Sequence, residues 1–157
     1  MNPQSLPAPI SERQAGAIPA RPDKRAAGGR NPQFLLKVLR FNGQGLIPAV
    51  IQDATSQRVL TLCYLNRAAL TRSLKEGKVY VFRRSQHRLM LKGETSGHLQ
   101  FIKRVYVDCE GKSLLFLVQQ RVAACHAGYF SCYFRSLGKG GRLVLSARRI
   151  FDPSTVY

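Results

Sequence analysis

Acidic side chains are scarce. Eight Asp and Glu stand against 25 Lys and Arg, a formal charge of +17 over 157 residues. No stretch approaches the roughly 18 consecutive apolar residues that a membrane-spanning helix needs. The N-terminal residues carry no continuous apolar stretch of the kind a secretory leader requires, so the expectation is a cytoplasmic protein in a reducing compartment. No internal repeat is visible. The basic residues follow no helical period and accompany no known nucleic-acid motif, which disfavours sequence-specific nucleic-acid binding. The four cysteines form no CxxC pair, so the commonest structural zinc pattern is also missing.

A positive charge without a nucleic-acid motif biases the chain toward anions, and a small phosphorylated substrate fits it. Hydrophobic content of 45% is enough for one core of ordinary size. Residues 1–32 are rich in Pro, Ala, Gly and Arg and read as a disordered basic tail. A transit peptide is disfavoured there by Pro3, Pro7, Pro9, Pro19 and Pro22 and by Glu12 and Asp23. Residues 33–137 read as the folded domain, and residues 138–157 as a C-terminal arm.

The expected fold is mainly β, of α+β type, with antiparallel sheets and a short helix. Residues 34–38 suit a short helix or strand. Residues 45–53 and 59–64 read as a hairpin across the turn 54–57. Asn66 is an N-cap, Ala68, Ala69, Leu70 and Leu74 recur at helical spacing, and Gly77 ends the helix. Strands follow at 79–82 and 99–107. The run 114–118 is apolar throughout and reads as buried on both faces. Gly138–Gly141 is a breaker, and residues 143–145 suit a last short strand. The end, around Phe151, reads as an extended segment that packs by its aromatics.

Two regions carry chemistry. The loop Lys92, Gly93, Glu94, Thr95, Ser96, Gly97 offers glycines, hydroxyls and backbone amides to an anion, with arginines nearby. The other region holds three of the four cysteines: Cys109, Cys125 and Cys132. Thiolates are soft ligands that suit zinc, and three protein ligands leave a fourth position open for water. Adjacent residues rarely both reach one metal, so His126 is placed beside the ion as a proton carrier rather than on it. Asp108 and Glu110 flank Cys109. In an extended stretch these two carboxylates point the same way, and oxygen ligands suit Mg2+. Cys63 lies apart in an apolar run and reads as a small buried hydrophobe.

The chain contains GLIPAVIQD at 45–53, VLTLCYLN at 59–66, KGETSG at 92–97, DCEG at 108–111 and ACHAGYFSC at 124–132. In this order, and with this cysteine spacing, the chain resembles the phosphoribosyl-AMP cyclohydrolase family of histidine biosynthesis over about residues 34–135. The resemblance implies hydrolytic opening of the N1–C6 bond of the adenine ring in 1-(5-phosphoribosyl)-AMP. It implies an intertwined homodimer forming a pseudo-barrel. One zinc per subunit would be shared, through Cys109 of one subunit and Cys125 and Cys132 of the other. It implies magnesium at Asp108 and Glu110, although Lys112 stands where the family has a third acid. It implies substrate contacts from Arg84, Ser85 and the 92–97 loop. The chain also departs from the family at Arg83, where Ser is usual, at Gln86 for Arg, at Met90 for Trp, and at Ala68 for Glu. Two rival readings accompany this one: a zinc-binding relative with weakened catalysis, and a basic nucleic-acid-binding zinc module.

Overall fold

The computed structural model describes residues 32–157. The expected tail over residues 1–32 lies outside the described residues except for Pro32. The domain is built on a four-stranded sheet of β1 (Ile47–Asp53), β2 (Val59–Leu65), β5 (Gln100–Val107) and β6 (Leu114–Gln120). Between β2 and β5 lie the helix α2 (Arg67–Glu76) and a hairpin of β3 (Tyr80–Arg83) and β4 (Arg88–Leu91). The helix α1 (Pro32–Val38) precedes the sheet, and a hairpin of β7 (Arg135–Leu137) and β8 (Leu143–Leu145) follows it.

The sheet order is β2-β1-β6-β5. The outer pairs are antiparallel hairpins, as expected. The central pair is not: β1 and β6 run parallel, with Ala49 opposite Leu114 and Asp53 opposite Val118. The reason is topological. The α2–β3–β4 segment is long enough to serve as a crossover, so the second hairpin returns beside the first in the same direction.

β1 alternates strictly. Ile47, Ala49, Ile51 and Asp53 are buried and the residues between them are half-buried. β6 alternates too, with Leu114, Phe116 and Val118 inside, which corrects the expectation of a strand buried on both faces. Only one face meets the core. On the other face Val50 pairs with Leu62 and Leu115, and Leu62 remains 46% exposed. That apolar face is partly open to solvent.

α2 covers the buried face with Ala69, Leu70, Ser73 and Leu74. Its ends form for local reasons. The Asn66 side chain accepts the Ala69 amide at 2.8 Å, a cap worth about 1 kcal/mol. Gly77 takes φ +67° and closes the last turn onto Ser73. The Ser73 hydroxyl is buried but satisfied: it donates to the Ala69 carbonyl at 2.8 Å and accepts the Tyr80 amide at 2.9 Å. This contact docks β3 against the helix and sets the start of the β3–β4 hairpin, from which the phosphate-type loop departs.

Candidate active site

A cleft of about 720 Å3 lies where the β3–β4 hairpin, the loop 92–98, strand β2 and the loop 121–134 meet. Its walls include Cys132 and His126 from the last loop, Thr61 and Cys63 from β2, and Lys92, Gly93, Glu94, Thr95 and Ser96 from the glycine loop. The two regions that the sequence marks as chemical, the cysteine loop and the 92–97 loop, share one cavity.

The cysteine loop is a tight reversal. The Ala124 amide donates to the Phe130 carbonyl, the Cys125 amide to the Tyr129 carbonyl, and the Gly128 amide back to the Cys125 carbonyl. Cys125 and Cys132 are thereby set on opposite arms of one turn. The loop is held against β2 by the Cys132 amide on the Leu60 carbonyl at 2.8 Å and by the Ser131 hydroxyl on the Val59 carbonyl at 2.7 Å. Cys125 is buried, Cys132 is half-buried, and the two thiols are near enough to influence each other electrostatically. Burial pushes the Cys132 thiol above its ordinary value. The Thr61 hydroxyl opposes that shift and the neighbouring Cys125 adds to it. The Cys132 thiol resists ionisation alone, and with Cys125 beside it forms a soft donor pair whose charge a cation would stabilise.

Cys63 behaves differently. Its thiol donates to the Ala49 carbonyl, and burial pushes it up to about 12, with Lys92 pulling weakly the other way. It stays protonated and contributes packing, in line with its place in an apolar strand.

Lys92 links the two halves of the cleft. Its ammonium donates to the Ala124 carbonyl at 3.2 Å, one residue before Cys125. The loop that follows is bent sharply at Gly93, which has φ +87°. A Cβ there would meet the His98 carbonyl oxygen at 2.4 Å, so only glycine fits. Within the loop, the amides of Glu94, Gly97 and His98 are used internally. Those of Gly93, Thr95 and Ser96 are the ones left to offer an anion. Glu94 turns its carboxylate to Arg88 at 3.2 Å and to the Leu91 amide at 3.3 Å, so its charge is balanced on the outside of the loop. Gly97 shapes the loop but does not line the cleft.

Arg84 and Ser85 do not line this cleft. They line a second one, of about 790 Å3, with Gln44, Leu46, Phe82 and His87. The Arg84 guanidinium lies 4.2 Å from the centre of the Tyr64 ring. Arg83 faces the first cleft instead, with Val81. The signal was present in the sequence. Val81 and Arg83 share one face of β3 and Phe82 lies on the other, and at Arg84 the chain leaves the strand for a short 3-10 turn. His98, Met90, Pro153 and Tyr157 also line the cleft. His98 and Met90 flank the glycine loop in sequence, whereas Pro153 and Tyr157 arrive from a distant segment that no local signal ties to the site.

Cys109 is elsewhere. It is exposed on the turn between β5 and β6. That turn is docked onto the segment after α1: the Arg40 amide donates to the Gly111 carbonyl at 2.7 Å, and a Cβ on Gly111 would meet the Val38 carbonyl oxygen at 2.5 Å. Among the described residues, no three His, Cys, Asp or Glu side chains lie close enough together to hold a metal ion. One copy of the chain therefore presents a pair of thiols, not a trio. Asp108 and Glu110 are engaged within the same turn. One Asp108 oxygen accepts the amides of Lys112 at 2.7 Å and Ser113 at 3.1 Å, and these bonds, the Ser113 amide foremost, hold its carboxyl below the ordinary range. Both Glu110 oxygens lie 3.0 Å from the Lys112 ammonium.

The cleft thus joins soft donors and an imidazole to a cationic, glycine-bent loop, the parts of a hydrolytic site for a phosphorylated substrate. A family model described as phosphoribosyl-AMP cyclohydrolase matches residues 61–134. Over 119 residues the chain is 45% identical to the phosphoribosyl-AMP cyclohydrolase of Haloquadratum walsbyi, covering 76% of this chain and 87% of that protein. It is 42% identical over 124 residues to that of Pelotomaculum thermopropionicum, covering 79% and 96%. It is also 44% identical over 123 residues to the histidine biosynthesis bifunctional protein HisIE of Thermoanaerobacter pseudethanolicus, covering 78% of this chain but 56% of that longer protein. The chain belongs to the phosphoribosyl-AMP cyclohydrolase family, whose reaction is a step of histidine biosynthesis. No helix among the described residues is long and apolar enough to cross a membrane.

Proposed function

We propose that the cleft between the cysteine loop and the 92–97 loop hydrolyses 1-(5-phosphoribosyl)-AMP with zinc as its metal. The observation that carries this reading is the convergence of Cys132, His126, Lys92 and Gly93 on one cavity, with the buried Cys125 beside Cys132. The thiol pair fits half of a tetrahedral zinc set. Cys109, exposed and outside the cleft, completes the set only from a second copy. This supports a homodimer, as does the open apolar face around Val50, Leu62 and Leu115. Zinc, when bound, would lower the pKa of water from 15.7 to about 7 and supply hydroxide at neutral pH.

The remaining work falls to the chain. Ribosylation at N1 leaves C6 of the purine electron-poor. An oxygen adds at C6, the N1–C6 bond breaks, and the departing N1 takes a proton, so that C6 ends as a carboxamide. His126, exposed in the cleft beside Cys125, is placed to carry that proton, and imidazole is suited to it near neutral pH. Lys92 and the free amides of Gly93, Thr95 and Ser96 hold a phosphate. Arg83 adds positive charge to the same wall. Arg84 and Ser85, on the other face of the hairpin, would serve the same substrate only across a dimer, as Cys109 must.

The turn at 108–113 does not fit magnesium. Its acids are satisfied by backbone amides and by the tethered ammonium of Lys112. No step is assigned to that ion. The test is to follow ring opening spectrophotometrically on zinc-loaded protein, with and without Mg2+. Turnover that does not need added Mg2+ is expected. A zinc-loaded protein without turnover overturns the reading in favour of a weakened relative.

A further inference from the structure

We infer that the C-terminal arm, residues 150–157, is part of the substrate-binding wall, with Tyr157 as a contact for the nucleotide and Phe151 as the residue that positions it. This rests on the reading of the cleft as the substrate site.

The arm is tied to both functional loops. On one side the Ile150 amide donates to the Gly128 carbonyl at 2.7 Å, and the Phe151 amide to the same oxygen at 3.4 Å. Gly128 lies between Cys125 and Cys132. It has φ +88°, and a Cβ there would meet the Phe151 carbonyl oxygen at 2.3 Å. The close approach of arm and cysteine loop thus depends on glycine at this position. On the other side the Phe151 ring meets the His98 ring edge-on, with centroids 4.7 Å apart at 73°. His98 closes the glycine loop that carries the candidate phosphate amides, and it lines the cleft itself. Phe151 therefore stands where the two loops converge, without lining the cavity.

Beyond Phe151 the arm turns into the cleft. The Asp152 side chain accepts the Ser154 amide at 3.0 Å, and the Tyr157 amide donates to the Pro153 carbonyl at 3.0 Å. This single turn sets Pro153 and Tyr157 on the cavity wall. Tyr157 is 60% exposed. A flat ring left uncovered in a cavity that a phosphate-type loop also lines suits a purine or ribose, by stacking and apolar contact. The arm lies beyond the stretch that the family model matches.

The experiment titrates AMP calorimetrically into the full-length zinc-loaded protein and its Tyr157→Ala, Phe151→Ala and Phe151→Leu variants. Turnover of phosphoribosyl-AMP is measured in parallel. Tyr157→Ala and Phe151→Ala are expected to weaken AMP binding and raise KM by roughly tenfold, with kcat within about twofold and zinc content unchanged. Phe151→Leu should recover most of the binding. Thermal melting shows whether each variant keeps its fold. AMP binding and KM unchanged in both alanine variants would overturn the inference, as would a loss of kcat at constant KM. If the wild-type protein lacks turnover but the variants still weaken AMP, the hydrolytic reading fails while the arm's role stands.

Discussion

The Lys112 ammonium sits 3.0 Å from both carboxylate oxygens of Glu110, on the turn that also carries Asp108 and Cys109. Both partners of this pair are more than half exposed, so it adds little to stability. Its consequence is electrostatic. A fixed positive charge occupies the place where a divalent cation would need a third acid. Lys112→Asp should therefore create divalent binding at a turn that lacks it in the wild-type chain. Mn2+ titration read by electron paramagnetic resonance tests this. A wild-type turn that already binds Mn2+ at micromolar concentration would show that the lysine yields its place.

Gly93 is the bend on which the loop's shape depends. Gly93→Ala forces a Cβ into the His98 carbonyl at a positive φ. A stability loss of about 2 kcal/mol is expected, together with a KM that rises more than kcat falls. Chemical denaturation and steady-state kinetics measure the two effects. A variant with wild-type KM would remove the loop from the binding site.

Much of this was legible in the sequence, and the failures have physical causes. β1, β2 and α2 are local objects, and their signals are local: alternation, an Asn cap, a terminal Gly. The parallel pairing of β1 with β6 is set by a crossover of many residues, which no local pattern encodes. β7 is three exposed residues with no apolar face to betray it. At the site, Cys125, Cys132 and His126 lie on one short loop, so their shared placement could be read from spacing. Cys109 is close to them in sequence and separate from them in the fold, because the whole of β6 intervenes. Arg84 was favoured over Arg83 from the motif, but β3 ends at Arg83, which lines the cleft, and the 3-10 turn that starts at Arg84 carries that side chain to the other cavity. Tyr157 and Pro153 reach the cleft only through tertiary contacts.

Asp53 predicts the acid limb of stability. Burial pushes its carboxyl up, but hydrogen bonds from the Ser56 amide, the Ser56 hydroxyl and the Gln120 amide outweigh burial. Its pKa lies below the ordinary 3.8. Because the folded value is the lower one, its contribution is present above the unfolded value and is lost as pH falls through the folded value. Wild-type protein should thus lose stability below about pH 3.8 more steeply than Asp53→Asn, which is less stable at pH 7. Urea denaturation across pH 2 to 7 checks this. Parallel acid limbs for the two proteins would show that Asp53 has no such role.

The central claim is that the zinc ligands come from two copies of the chain. Cys109→Ala and Cys125→Ala each remove one ligand, and each alone should be inactive with little bound zinc. Unfolding and refolding an equal mixture forms mixed dimers in half of the cases, each with one intact site, Cys109 from one chain and Cys125 with Cys132 from the other. Recovery of roughly a quarter of wild-type activity, with zinc to match, is the predicted result. A mixture as inactive as its parents, while wild-type protein treated alike regains activity, would contradict a shared site.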